Sequence, residues 1–161
     1  MELEHVKGLR ELSDALRQLP DRIARNALRQ SVAAGAAVIR KDAQSRAPVA
    51  SKPLPAGTPP PGTLKRSILI RHAKELSSLV SQTYVVGVRH GKKYRGQGKK
   101  GNLSQDTYYW RWVEFGTVKM RAQPFLRPSF EANKQLAVQV IAEYLAKRIP
   151  QEVATLRGSK P

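Results

Sequence analysis

The sequence predicts an α+β protein: an antiparallel β-sheet packed against a long N-terminal helix and a C-terminal helix, with long proline-rich and basic loops. Three observations predict it. Apolar residues recur at helical spacing before Arg46 and again after Pro128, and they alternate at strand spacing between Leu79 and Arg89. The two stretches that separate these patterns are too rich in proline, or in glycine and lysine, to continue either.

Residues 8–46 form the helical N-terminal part. Leu9, Leu12, Leu16 and Leu19 fall three and four apart, one stripe of a short amphipathic helix that Pro20 stops. A second helix runs from Asp21, a candidate N-cap, to about Arg46, with Ile23, Ala27, Val32, Ala36, Ile39 and Ala43 on one face, widened by Leu28 and Val38. Ala33, Ala34, Ala36 and Ala37 lower its conformational cost and permit close approach by another element, against a sheet or against a second subunit. Residues 47–62 hold Pro48, Pro53, Pro55, Pro59, Pro60 and Pro61 with Gly57, which excludes helix and central strand and leaves an extended loop. Residues 63–89 form a β-hairpin. Leu64, Ile68 and Ile70 mark its first strand, from Thr63 to His72, and Val80, Gln82, Tyr84, Val86 and Val88 alternate along its second, with a turn around Lys74 to Ser78.

Residues 90–106 form a basic loop, and residues 107–149 carry an aromatic turn and the C-terminal helix. Tyr109, Trp112 and Val113 fit a helical face, whereas Tyr108, Trp110 and Trp112 fit a strand face. We take the helix, ended by Gly116 in the left-handed conformation of a C-terminal cap. Pro128 is placed to be the first residue of the last helix, lined by Phe130, Ala137, Val140, Ile141, Tyr144, Leu145 and Ile149. Pro150 interrupts it, and residues 150–161 form a polar tail. The whole, residues 1–161, suits a single domain, because domains of roughly 100 to 150 residues are the commonest. No internal repeat is visible.

Composition narrows the function. The chain has no cysteine, which excludes disulfides and thiolate metal sites. No run of about 18 apolar residues occurs and the N-terminus is acidic where a signal peptide is basic, so neither a membrane nor secretion is expected. Lys and Arg number 29 against 12 Asp and Glu, a net charge of +17, which points to a polyanion or an acidic protein surface as neighbour. The excess is concentrated: Arg89, Lys92, Lys93, Arg95, Lys99 and Lys100 fall within twelve residues without an acid, whereas the first 45 residues hold eight basic residues against six acids. These six are the candidate contacts to DNA or to a partner. Tyr94 adds a stacking group for nucleic acid, and the alternative use of the loop is a solvated surface.

Catalytic machinery is not visible. His5, His72 and His90 are isolated from one another and from paired carboxylates, and no metal-ligand spacing occurs, so no catalytic residue, metal site or cofactor is predicted. The glycines around Arg89 and Gly96 lack the spacing of a phosphate loop. Glu114 sits among aromatics. It reads either as a general base in an apolar pocket or, preferred, as a structural carboxylate paired to Arg111, Arg121 or Arg127 or to backbone amides around Gly116 and Thr117. The structural motif is therefore Tyr109, Trp112, Glu114, Phe115, Gly116, Thr117, Pro124, Phe125 and Pro128. Its aromatics are core or interface, since such side chains are costly to expose.

Five phrases occur in one order: Gly8-Leu9-Arg10-Glu11-Leu12; an alanine-rich helix ending in Ala47-Pro48; Gly62-Thr63-Leu64-Lys65-Arg66-Ser67-Ile68; Val113-Glu114-Phe115-Gly116-Thr117; and Gln123-Pro124-Phe125-Leu126-Arg127-Pro128. Together they resemble the neck proteins of tailed bacteriophages, the head-tail joining or tail-completion family, from about Gly8 to Leu145. The resemblance implies a structural virion protein without enzymatic activity. It also implies a homo-oligomeric ring, a hexamer, in the virion neck between the DNA-filled head and the tail tube, assembled in the host cytoplasm. Implied neighbours are other neck proteins, head-completion and tail-terminator or tail-tube proteins, and the packaged double-stranded DNA. The stretches Ala50 to Gly62 and His90 to Asp106 extend beyond the family pattern. Charge alone supports a competing reading as a free-standing, sequence-independent nucleic-acid-binding protein, and a small nuclease is a third.

Overall fold

In chain order the elements are helices α1 (Leu9–Arg17), α2 (Asp21–Arg46) and α3 (Thr63–Ser67), strand β1 (Ile68–His72), a 3-10 turn (Lys74–Leu76), strand β2 (Tyr84–Val88), and helices α4 (Trp110–Phe115) and α5 (Leu126–Gly158). The structure is a computed structural model, and it describes residues 9–17, 21–51, 58–78, 80–91 and 106–158. The α+β class holds, with β1 and β2 forming a two-stranded antiparallel sheet. Residues group into two compact units, one of Met1–Val38, His72–Val85 and Lys134–Pro161, the other of Ile39–Arg71 and Val86–Asn133.

In the first unit, Ala27, Leu145 and Ile149 are buried together, with Ile23, Ala24, Leu28 and Ile141 packed against them. The contact face of α2 here is built from small side chains. Ala27, Ser31, Gly35 and Ala36 are buried, and the Ser31 hydroxyl is satisfied by the Leu28 carbonyl at 2.8 Å. On α5 the matching row is Ala137, Ile141, Leu145 and Ile149, each four residues from the last, as expected for one helical ridge. The helices come so close at Gly35 that a Cβ there would lie 2.7 Å from Ile141 Cγ1 and 2.9 Å from the Ala137 carbonyl oxygen. Tyr144 donates its hydroxyl to Gln30 Oε1 at 2.7 Å.

α5 does not stop at Pro150. A proline removes one backbone donor and crowds the carbonyl four residues back, yet the flanking turns are anchored. Ile149 is buried, and Arg148 pairs with Glu152 at 2.9 Å across the proline. Pro128 is the third residue of the helix rather than its first, and Phe130, expected on the inner face, is exposed.

In the second unit the core is Ala43, Ala47, Leu64, Ile68, Val88 and Phe125, with Val86, Tyr109, Trp110, Val113 and Leu126 around it. Phe125 is fully buried, which by area alone is worth on the order of 2–3 kcal/mol. The first half of the expected first strand is helical: Thr63–Ser67 forms α3. Leu64 and Ile68 are one helical turn apart, whereas Ile68 and Ile70 are one strand repeat apart, so the period changes at Ile68. The Thr63 hydroxyl donates to the Pro60 carbonyl at 2.6 Å and so closes the turn that starts α3. Gln44 of α2 donates to the Ile68 carbonyl at 3.2 Å. Asp42 accepts from Arg46 Nε at 2.7 Å and from Asn133 Nδ2 at 2.9 Å. The Arg46 guanidinium hydrogen-bonded to Asp42 holds its carboxyl below the usual value, against the opposing effect of desolvation, and the Ser129 and Asn133 side chains add to the lowering.

Gly35→Ala tests the close approach. Alanine gains about 1 kcal/mol of helix propensity, but overpacking against a backbone oxygen costs about 1–3 kcal/mol. A net loss of about 1 kcal/mol is expected in urea denaturation; a gain would show that the two helices separate freely.

Candidate functional site at the aromatic turn

α4 begins where the Trp110 N–H reaches the Thr107 carbonyl at 3.0 Å, and it lasts six residues. Gly116 ends it with φ 75° and ψ 179°: the positive φ requires glycine, but the extended ψ is not the left-handed cap that was expected. A Cβ on Gly116 would lie 2.8 Å from the Ala122 nitrogen and 3.0 Å from the Met120 oxygen. The Gly116 N–H donates to the Trp112 carbonyl and the Gln123 N–H to the Val113 carbonyl, both at 2.8 Å. The Trp112 and Val113 carbonyls in the last turn of α4 are thereby satisfied. Between these two bonds, Thr117 and Met120 pair in both directions, at 2.8 and 3.2 Å, and make a tight turn.

Glu114 is the centre of the arrangement. It is only 2% exposed. Oε2 accepts the Phe125 and Leu126 N–H groups at 2.8 and 3.0 Å, and Oε1 accepts the Arg127 N–H at 3.0 Å. These are amides at the start of α5, which have no partner within the helix and carry its positive dipole end. The carboxylate thus takes neither an arginine nor the amides around Gly116 and Thr117, the partners read from the sequence. It reaches eleven to thirteen residues forward. A charged acceptor on three amides is strong and geometrically specific. With both oxygens engaged, the group is a clamp between α4 and α5.

The turn's aromatics divide. Phe125 is buried and Tyr109 and Trp110 are half-buried in the core of this unit. Burial raises the Tyr109 phenol above its ordinary value. Trp112, Phe115 and Tyr108 are exposed, as are Thr117 and Pro124. Tyr108 meets Tyr109 and Trp112 edge-on, each at 5.7 Å, and the Arg127 guanidinium lies 5.0 Å from the Phe115 ring centre. A cavity of about 400 Å³ adjoins Tyr108, Tyr109 and Val113, walled on its other side by Pro48, Pro60 and Leu64.

Of the candidate basic contacts, Arg89 is described, and Lys92, Lys93, Arg95, Lys99 and Lys100, with Tyr94, lie outside the described residues. Both ends of their segment are fixed. The Arg89 N–H donates to the Ser67 carbonyl at 2.8 Å, the Gly91 N–H donates to Asp106 Oδ1 at 2.8 Å, and the Thr107 hydroxyl donates to the Arg89 carbonyl. Asp106 and Thr107 are buried. Neither is among the residues singled out from the sequence. The signal was available: Asp106 is the only acid between Glu75 and Glu114. Among the described residues no group of three or more His, Cys, Asp or Glu is placed to hold a metal ion, and no helix is long and apolar enough to cross a membrane.

Fold and site define a small, helix-rich α+β protein in which a buried glutamate clamps an aromatic turn to the last helix. The chain belongs to the HK97-gp10-like family. Residues 10–116 match its model, described as "Bacteriophage HK97-gp10, putative tail-component". By that membership it is a bacteriophage tail component, in keeping with the resemblance carried by its ordered phrases. The match takes in α1 to α4 and the basic segment, and ends at the glycine that stops α4. Comparison with curated proteins and with solved structures gave no match.

Glu114→Ala, which strands three amides, is expected to cost on the order of 3 kcal/mol or more, and Glu114→Gln, which keeps one strong acceptor, roughly half as much. Denaturant unfolding measures both, and equal stabilities for all three proteins would refute the clamp. Gly116→Val, strained by φ and blocked by backbone atoms, is expected to lose about 3 kcal/mol or to fail to fold. A Gly116→Val protein as stable as the parent would show that the turn rearranges without cost.

Proposed function

We propose that the chain is a structural virion protein of the phage neck, a six-fold ring that joins the DNA-filled head to the tail tube and completes the tail. The observation that carries the reading is the family match, and the site geometry supports it. The buried carboxylate of the aromatic turn is spent on backbone amides, so the turn offers fixed shape rather than a proton acceptor. On this reading the chain works by binding, without enzymatic activity or a cofactor.

Its partners are further copies of itself, the neighbouring neck, head-completion and tail-terminator or tail-tube proteins, and the packaged double-stranded DNA. A closed ring uses one heterologous contact repeated around an axis, and so needs no self-complementary face. The residues that flank the basic segment are tied together, Gly91 N–H to Asp106 Oδ1. Lys92, Lys93, Lys99 and Lys100 supply charge there for phosphates, with affinity that falls steeply with salt.

A reconstruction of the phage particle is expected to place the chain in a ring between head and tail tube, and density elsewhere would reject the proposal. Changing Lys92, Lys93, Lys99 and Lys100 together to Ser is expected to lower infectious yield on the order of tenfold or more. Normal yield would remove the basic segment from the mechanism. A purified monomer that shifts duplex DNA in a salt-dependent way but is absent from particles would favour the free-standing nucleic-acid-binding protein, for which the net charge of +17 is the argument.

A further inference from the structure

Tyr108, Trp112 and Phe115 are spaced four and three apart, so they stand side by side on one face of the α4 turn. That face is turned outward, since Tyr109 and Val113 take the inward positions. Trp112 is 51% and Phe115 60% exposed. The Thr117–Met120 turn follows directly and holds Val118 clear of the protein, at 107% exposure. Soluble surfaces seldom group large apolar side chains in this way without a use for them.

Along the turn itself the exposed charges have one sign, and the next acid, the exposed Glu131, stands on α5. Arg111, Lys119, Arg121 and Arg127 are all exposed, and the only carboxylate between Thr107 and Phe130, Glu114, is buried beneath the turn. We infer that this face is a docking surface for an acidic protein other than this chain, one that receives Trp112, Phe115 and Val118 on an apolar patch rimmed by carboxylates. The inference rests on the assembly reading and adds the chemistry of one neighbour.

Charge decides against a second copy. Two such faces brought together would oppose arginine to arginine, and the chain as a whole carries 29 cations against 12 acids, of which Asp106 and Glu114 are buried. Ring geometry decides against nucleic acid. Tyr108 stands at 85° to Trp112 and 89° to Tyr109, and Arg127 already lies over Phe115, so the rings do not offer a series of open parallel faces for bases. Val118 and Met120 have nothing to offer a phosphate. An apolar centre inside a basic rim is the anatomy of a protein interface.

The test uses assembled phage particles. A carbodiimide condenses the Lys119 amine with a carboxylate in direct contact and takes up the water released, and sequencing of the linked peptides identifies the partner. The expected result is Lys119 joined to an Asp or Glu of a different virion protein. Val118→Glu is expected to reduce incorporation into particles on the order of tenfold, with the thermal midpoint of the purified protein unchanged. Linkage of Lys119 to another copy of this chain would overturn the inference. So would ultraviolet linkage of Trp112 to DNA, or acetylation of Lys119 in intact particles as complete as in the free protein. In each of those cases the chain is still in the particle, so the assembly reading survives. Absence of the chain from particles would instead sink both.

Discussion

The bond between the Glu114 carboxylate and the amides of Phe125, Leu126 and Arg127 is the constraint on which the rest of the second unit depends. It satisfies donors that a helix start would otherwise have to give to water, and it does so from inside the protein. Because the same three residues include Phe125, the clamp also fixes the depth of the largest fully buried side chain. Phe125 then packs in one cluster with Ala43 of α2 and Ala47 just beyond its end, Leu64 and Ile68 at the junction of α3 with β1, and Val88 of β2. One carboxylate therefore sets where α5 begins, where α4 must lie, and which residue fills the middle of the core. The ten residues between the two helices are free to form a tight turn because both ends are held.

Much of this was legible in the sequence where a signal was local. The limits of α2 follow from Asp21 and from the run of small and apolar residues that ends at Arg46, and the outline of an α+β chain follows from two periods. What was not legible depended on distant atoms. Leu64 looked like a strand residue because its partner Ile68 belongs to both patterns, and only the turn closed by Thr63 on Pro60 selects the helix. Pro150 read as a stop because intrinsic propensity says so; the helix continues with Ile149 buried and Arg148 ion-paired to Glu152 across the proline. Phe130 read as core because it is aromatic and near the right phase. The true ridge runs through Ser129, Asn133 and Ala137, and its polar members hid it.

The same limitation applied at the site. The sequence singled out Glu114, Gly116 and Phe125 as parts of one turn, since a lone carboxylate among aromatics demands a partner. It could not choose the partner, because arginines stood closer along the chain than the amides of α5. A guanidinium would have neutralised the charge at the surface. The helix start does more in a smaller space, since it offers several donors with no side-chain entropy to lose. That choice leaves the arginines of the turn outside, and the exposed basic rim is its direct consequence.

Charge accounting extends this beyond the turn. If each of the 12 carboxylates were matched with its own cation, 29 − 12 = 17 cations would still be unmatched. Folding makes the shortfall worse, because the Glu114 carboxylate is engaged by three backbone amides. Bringing several such chains into a ring, as proposed, multiplies like charge within a small volume, and the repulsion must be offset by something each copy cannot supply. Within about 10 Å at ordinary salt that offset has to be local. On the proposed assembly, packaged DNA and acidic neighbouring proteins would be the two sources of it, acting on different parts of the chain. By sequence the stretch between Gly91 and Asp106 is rich in Lys and Arg, whereas the rim of the aromatic turn encloses Trp112, Phe115 and Val118. The first suits a phosphate backbone and the second a protein, so one excess of charge is divided by its apolar surroundings into two kinds of recognition.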